Sequence, residues 1–96
     1  MNYNEFCDYV VANTHKYFTD SMAGAQVFLM EKEKLNGGFI RGISVRGEGR
    51  PVAPCLYLES AFAWYEQGDN IDDICRELAS TLEEKTNARF TFEFSL

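Results

Sequence analysis

Ninety-six residues, 46% of them hydrophobic and including eight Phe, five Tyr and one Trp, specify one domain with one core. That composition excludes a disordered chain, and no run approaches the roughly 20 apolar residues that cross a bilayer. The net charge of −6 argues against a generic nucleic-acid binder, which would carry a basic excess.

The charge is segregated. From Glu59 to Glu84 eight acids face Arg76 alone, a net −7, which leaves +1 for the rest of the chain. Between Lys32 and Arg50 five bases face two acids, so the chain carries opposite charge in different segments. The N-terminus has acids and no basic leader region, which points to a cytoplasmic protein. Three cysteines, Cys7, Cys55 and Cys75, are odd in number and lack C-x-x-C or zinc spacing. Buried free thiols are the expectation.

In chain order, Asn2 or Asn4 caps a first helix over residues 4–17, with Tyr3, Phe6, Cys7, Val10, Val11, Tyr17 and Phe18 approximating a helical stripe. Asp20, Ser21 and Gly24 mark a loop before a strand in "AQVFLMEKEK". Asn36 and Gly37 then form the pair favoured in a two-residue hairpin turn of type I′. The returning strand "FIRGISVR" puts Phe39, Ile43 and Val45 on one side and Ile40, Gly42, Ser44 and Arg46 on the other. Arg41 interrupts the apolar side and is expected at a rim, its stem covered and its head in water.

A third strand follows in "VAPCLYL". Pro54 lacks an N–H, so this strand belongs at a sheet edge or begins regular pairing only at Cys55. Leu58, Ala61, Phe62 and Tyr65 share a face of a helix that Gly68 stops. Asn70 caps the cleanest amphipathic helix, with Ile71, Ile74, Cys75, Leu78, Ala79 and Leu82 spaced by three and four. The final segment "RFTFEFSL" alternates strictly, Phe90, Phe92, Phe94 and Leu96 against Arg89, Thr91, Glu93 and Ser95, and reads as a strand. The expected fold is α+β, a single domain over residues 1–96 in the order α-β-β-β-α-α-β, an antiparallel meander sheet with helices packed on one face.

Chemistry is sparse. "RGEGRPVAPCLYLE" fails the phosphate-loop and dinucleotide patterns, since no glycine opens a helix there. Arg41, Arg46 and Arg50 could cradle an anion with nearby backbone amides, against the simpler reading of a bend in which Pro51 forces Arg50 to be extended. His15, the single histidine, has no signature linking it to Cys7 or Cys55, so neither catalytic residues nor a metal or cofactor are expected. Asp69, Asp73, Glu77 and Glu84 repeat at one or two helical turns, a row fit for a basic groove on a partner. The simpler alternative is a solvated helix face, eased by an Asp72–Arg76 pair. Trp64 lies off the stripe of Phe62 and Tyr65 and is the candidate interface anchor.

A pattern over much of the chain resembles a bacterial family known as a domain of unknown function in gut-dwelling Gram-positive bacteria. It comprises the Asn36-Gly37 turn, then Gly42, Arg46, Glu48 and Gly49, then Ala53, Pro54, Tyr57 and Leu58, then Tyr65 and Gly68, and finally Ile71 and Ile74. The resemblance implies a fold and no catalytic residues.

The leading functional expectation is a non-enzymatic protein-binding module. Its most concrete form is a small acidic inhibitor of a basic, nucleic-acid-handling protein, of the anti-CRISPR kind. A structural or self-associating domain is the second reading, motivated by the Pro54-bearing edge and by the aromatic C-terminal strand, through which a homodimer could form. A weak anion or nucleic-acid binder is the third.

Overall fold

The computed structural model describes residues 1–22, 24–46 and 55–95, with Ser21 and residues 87–95 as backbone only. Helix α1 spans Tyr3–Asn13 and is followed by a 3-10 turn over Thr14–Tyr17. Asn2 is the cap. Its side chain accepts the Glu5 amide while the Glu5 carboxylate accepts the Asn2 amide, a reciprocal box that satisfies two donors of the first turn. The expected helix over 4–17 is therefore an α-helix tightened at its last turn.

Strands β1 (Gln26–Glu33) and β2 (Phe39–Arg46) pair antiparallel from Gln26 with Arg46 to Glu33 with Phe39. Strand β3 (Leu56–Tyr57) joins the other side of β2, pairing Gly42 with Tyr57 and Ile43 with Leu56. The sheet order is β1-β2-β3, so β3 is an edge, as the proline implied; Pro54 itself lies outside the described residues.

The hairpin forms where Asn36 and Gly37 predict it, with a different turn. Gly37 donates to the Lys34 carbonyl at 3.2 Å and Lys34 donates to the Gly38 carbonyl at 3.0 Å, which encloses three residues rather than two. Gly37 has φ +82° while Asn36 does not reach positive φ. This is a type I turn closed by a left-handed glycine, and Gly38 after it also has a positive φ, +86°.

Helices α2 (Glu59–Glu66) and α3 (Ile71–Ser95) complete the chain. Phe6, Cys7 and Val10 of α1, Ile43 and Val45 of β2, Leu58, Ala61 of α2, and Ile74, Cys75, Leu78 and Leu82 of α3 form one core. Val27 and Leu29 of β1 pack against it, so the odd-numbered residues of β1 and β2 face the helices. Each large side chain fully buried this way contributes about 1.5–3 kcal/mol. Phe39 shares that parity but is 61% exposed, because it sits where the hairpin runs out beyond the core.

The expected C-terminal strand is corrected: residues 89–95 continue α3. No Gly or Pro interrupts the chain after Asn70, so a helix already nucleated by its packed first half propagates at one hydrogen bond per residue. The alternation of the phenylalanines offers no turn at which a strand could leave. The architecture is α+β with its helices on one face of an antiparallel sheet, and the homodimer expected through a C-terminal strand has no strand there to use.

Candidate functional site

A concavity lies where α2 hands over to α3. Gly68, at φ +108°, stops α2 and its amide donates to Tyr65. The Asp69 amide then donates to the Trp64 carbonyl at 3.1 Å, which folds the connection back on the helix end. Asn70 opens α3, its Oδ1 accepting the amides of Asp72 at 2.9 Å and Asp73 at 3.2 Å.

These local bonds bring Trp64, Asp69, Asn70, Asp73, Ile74 and Glu77 around one open groove of about 190 Å³. Four of the five residues singled out for partner binding thus share a surface. Glu84 does not line it; it is exposed seven residues beyond Glu77, roughly 10 Å along the axis. Trp64 is 41% exposed, in contrast to its half-buried neighbours Phe62 and Tyr65, which stack within the core beside Phe6. Sequence reasoning missed Asn70 and Ile74 as lining residues because each was already assigned a structural task, one as cap and one as core.

The Arg76 guanidinium bonds Asp73 at 3.1 Å and lies 4.9 Å from the Tyr17 ring centre. Asp72 is not its partner, contrary to the expected i, i+4 pair: its carboxylate accepts the Tyr9 hydroxyl at 2.7 Å. Asp69 and Glu77 have no ion-pair partner among the described residues, and the groove keeps a negative excess. Asp72 and Asp73 also complement the positive pole of the α3 N-terminus. At about 190 Å³ the groove falls below the roughly 300–1,000 Å³ of small-molecule sites.

The arginines do not converge. Arg41 is on the helix-facing side of β2, where its Nε bonds Glu31 at 3.0 Å, its Nη1 bonds the Asn4 side chain, and its head lies over the Tyr3 ring. Its side chain is 26% exposed, the rim position expected. Arg46 is on the opposite side, 5.0 Å from the centre of the Phe28 ring. Arg50 lies outside the described residues.

The cysteines are free thiols: Cys7 and Cys75 are fully buried and Cys55 is half-buried. Burial pushes all three above the ordinary thiol range, which lowers the thiolate fraction that nucleophilic chemistry requires. His15 is exposed in the 3-10 turn. Among the described residues no three His, Cys, Asp or Glu side chains are grouped so as to hold a metal ion, the acidic groove included. No described helix is long and apolar enough to cross a membrane.

Neither the curated proteins nor the solved structures include a significant match to this chain. A family model does match, over residues 3–95, and so takes in α1, the sheet, and the α2–α3 groove together. The chain belongs to DUF5688, a family of unknown function.

Proposed function

We propose that this domain is a non-enzymatic protein-binding module that presents the α2–α3 groove to a basic surface of its partner. The observation that carries this reading is the convergence of an exposed indole, Trp64, with the Asp69, Asp73 and Glu77 carboxylates on one groove sized for a side chain. An indole face attracts a guanidinium or ammonium, and carboxylates beside it hold the same cation by charge. Glu84, farther along α3, extends the negative field and contributes to encounter rate more than to contact. The concrete partner class is a basic nucleic-acid-handling protein, and the module would act as an acidic inhibitor by occupying the surface meant for nucleic acid, as anti-CRISPR proteins do.

The test is capture of partners from lysate of the source organism, read by mass spectrometry, with wild-type protein and with the reversal Asp73→Lys/Glu77→Lys/Glu84→Lys. Capture of one basic nucleic-acid-handling protein that the reversal loses supports the reading. Capture that survives the reversal overturns it. Direct anion binding through the arginines is a weaker reading, since Arg41 is already engaged by Glu31 and Arg46 lies on the other side of the sheet.

A further inference from the structure

Strand β1 is one edge of the sheet, and its hydrogen-bonding groups alternate in direction. Lys34 bonds Gly38 across the hairpin, so counting back in steps of two, the even residues Lys32, Met30 and Phe28 direct their N–H and C=O groups to β2. The bond from the Leu58 amide to the Arg41 carbonyl confirms the same alternation on the other side of β2. Val27, Leu29 and Glu31 therefore direct their backbone groups outward, and no described residue pairs with them. An uncharged run from Gln26 to Met30 with open backbone groups is a template for another strand.

We propose that β1 pairs antiparallel with β1 of a second copy of this chain, about a two-fold axis through Leu29, to form a continuous six-stranded sheet. The axis is perpendicular to the sheet, so paired residues must share a face, which permits only registers centred on a residue. A register centred on Glu31 sets that carboxylate against itself. One centred on Lys32 opposes Lys32 to itself and Glu31 to Glu33, one centred on Met30 sets Leu29 against Glu31 and Phe28 against Lys32, and one centred on Phe28 leaves only residues 26–30 of β1 paired. Centred on Leu29, the pairing opposes Leu29 to itself, Phe28 to Met30 in both directions and Gln26 to Lys32, with no like charges opposite.

Phe28 and Met30 meet on the side of the sheet away from the helices, where Met30 is 39% exposed, and a thioether against a ring edge is a favourable contact. Glu31 comes opposite Val27 with its charge already balanced by Arg41 at 3.0 Å. Contact through one pair of edge strands is narrow, so the dimer is a concentration-dependent one. This edge is separate from the α2–α3 groove.

The test combines sedimentation velocity over a wide concentration range with residue-resolved amide exchange on the full chain. The expected result is reversible dimerisation, accompanied by slowed exchange at Val27, Leu29 and Glu31 while Phe28 and Met30, already bonded to β2, do not change. Met30→Glu, at an exposed position, keeps the fold by circular dichroism and abolishes both effects. A monomer at every concentration overturns the proposal. So does a dimer that leaves the three outward amides unprotected or survives Met30→Glu, since another surface would then carry it.

Discussion

The Tyr9 hydroxyl, on α1, donates a 2.7 Å hydrogen bond to the Asp72 carboxylate in the first turn of α3, joining residues 63 positions apart. That bond, with burial second, raises the Tyr9 phenol to about 12, because ionisation would set a phenolate against the carboxylate. Burial raises Tyr3 to about 12 as well. Both folded values exceed the unfolded value of 10.0, so the unfolded chain loses its protons first as pH rises. Their stabilising contribution is complete below pH 10 and is lost between about pH 10 and 12. Denaturant titrations across that range should show falling stability, and Tyr9→Phe should flatten part of the slope and lower the melting temperature.

Gly42 is held to glycine by its neighbours. A Cβ there would lie 2.3 Å from Cys55 Sγ and 2.9 Å from the Leu56 carbonyl oxygen. The sulfur can move, whereas the carbonyl belongs to the β2–β3 pairing and cannot without breaking it. Gly42→Ala is expected to cost about 1–3 kcal/mol in chemical denaturation, the range for overpacking. Adding Cys55→Ala should recover part of that loss, and a strictly additive double mutant would show that the thiol is not the obstacle.

The groove separates contact from steering. Trp64→Ala should weaken partner binding by about 2 kcal/mol or more, chiefly in dissociation rate, if the indole is the anchor. Glu84→Lys, off the groove, should act mainly on association rate and on its salt dependence. Surface plasmon resonance with the captured partner distinguishes them. Both variants should keep global stability within about 0.5 kcal/mol, as surface substitutions do.

What the sequence showed plainly was whatever local chemistry decides. Gly68 as a stop, Asn70 as a cap and the hairpin at Asn36 and Gly37 all lie where their residue types require. Trp64 was legible as exposed because it falls off the stripe of Phe62 and Tyr65. The pairing of Asp72 was not legible: a helical reading offers Arg76 at i+4, and nothing local reveals a tyrosine that arrives on another element. Two-residue and three-residue hairpin loops likewise differ in which residues are central, and Asn36, which tolerates φ of either sign, suits both. The acidic row was partly legible, since helical spacing places Asp69, Asp73 and Glu77 together, whereas the groove beside them depends on where α2 ends.

The largest departure is at the C-terminus, where strict alternation read as a strand and the backbone continues α3 to Ser95. Alternation reports only which side chains share a face if the segment is extended, and propensity is a weak prior against a helix already propagating. Two substitutions tell the states apart through opposite signs. In a helix, Ala88→Gly costs about 1 kcal/mol and Thr91→Ala gains several tenths, whereas in a strand Ala88→Gly does little to helicity and Thr91→Ala removes a favoured β-branched residue. Far-UV circular dichroism and thermal melts should therefore show helicity and stability falling for Ala88→Gly and rising for Thr91→Ala. Loss of stability in Thr91→Ala with unchanged helicity would return these residues to a strand and reopen the C-terminus as a pairing edge.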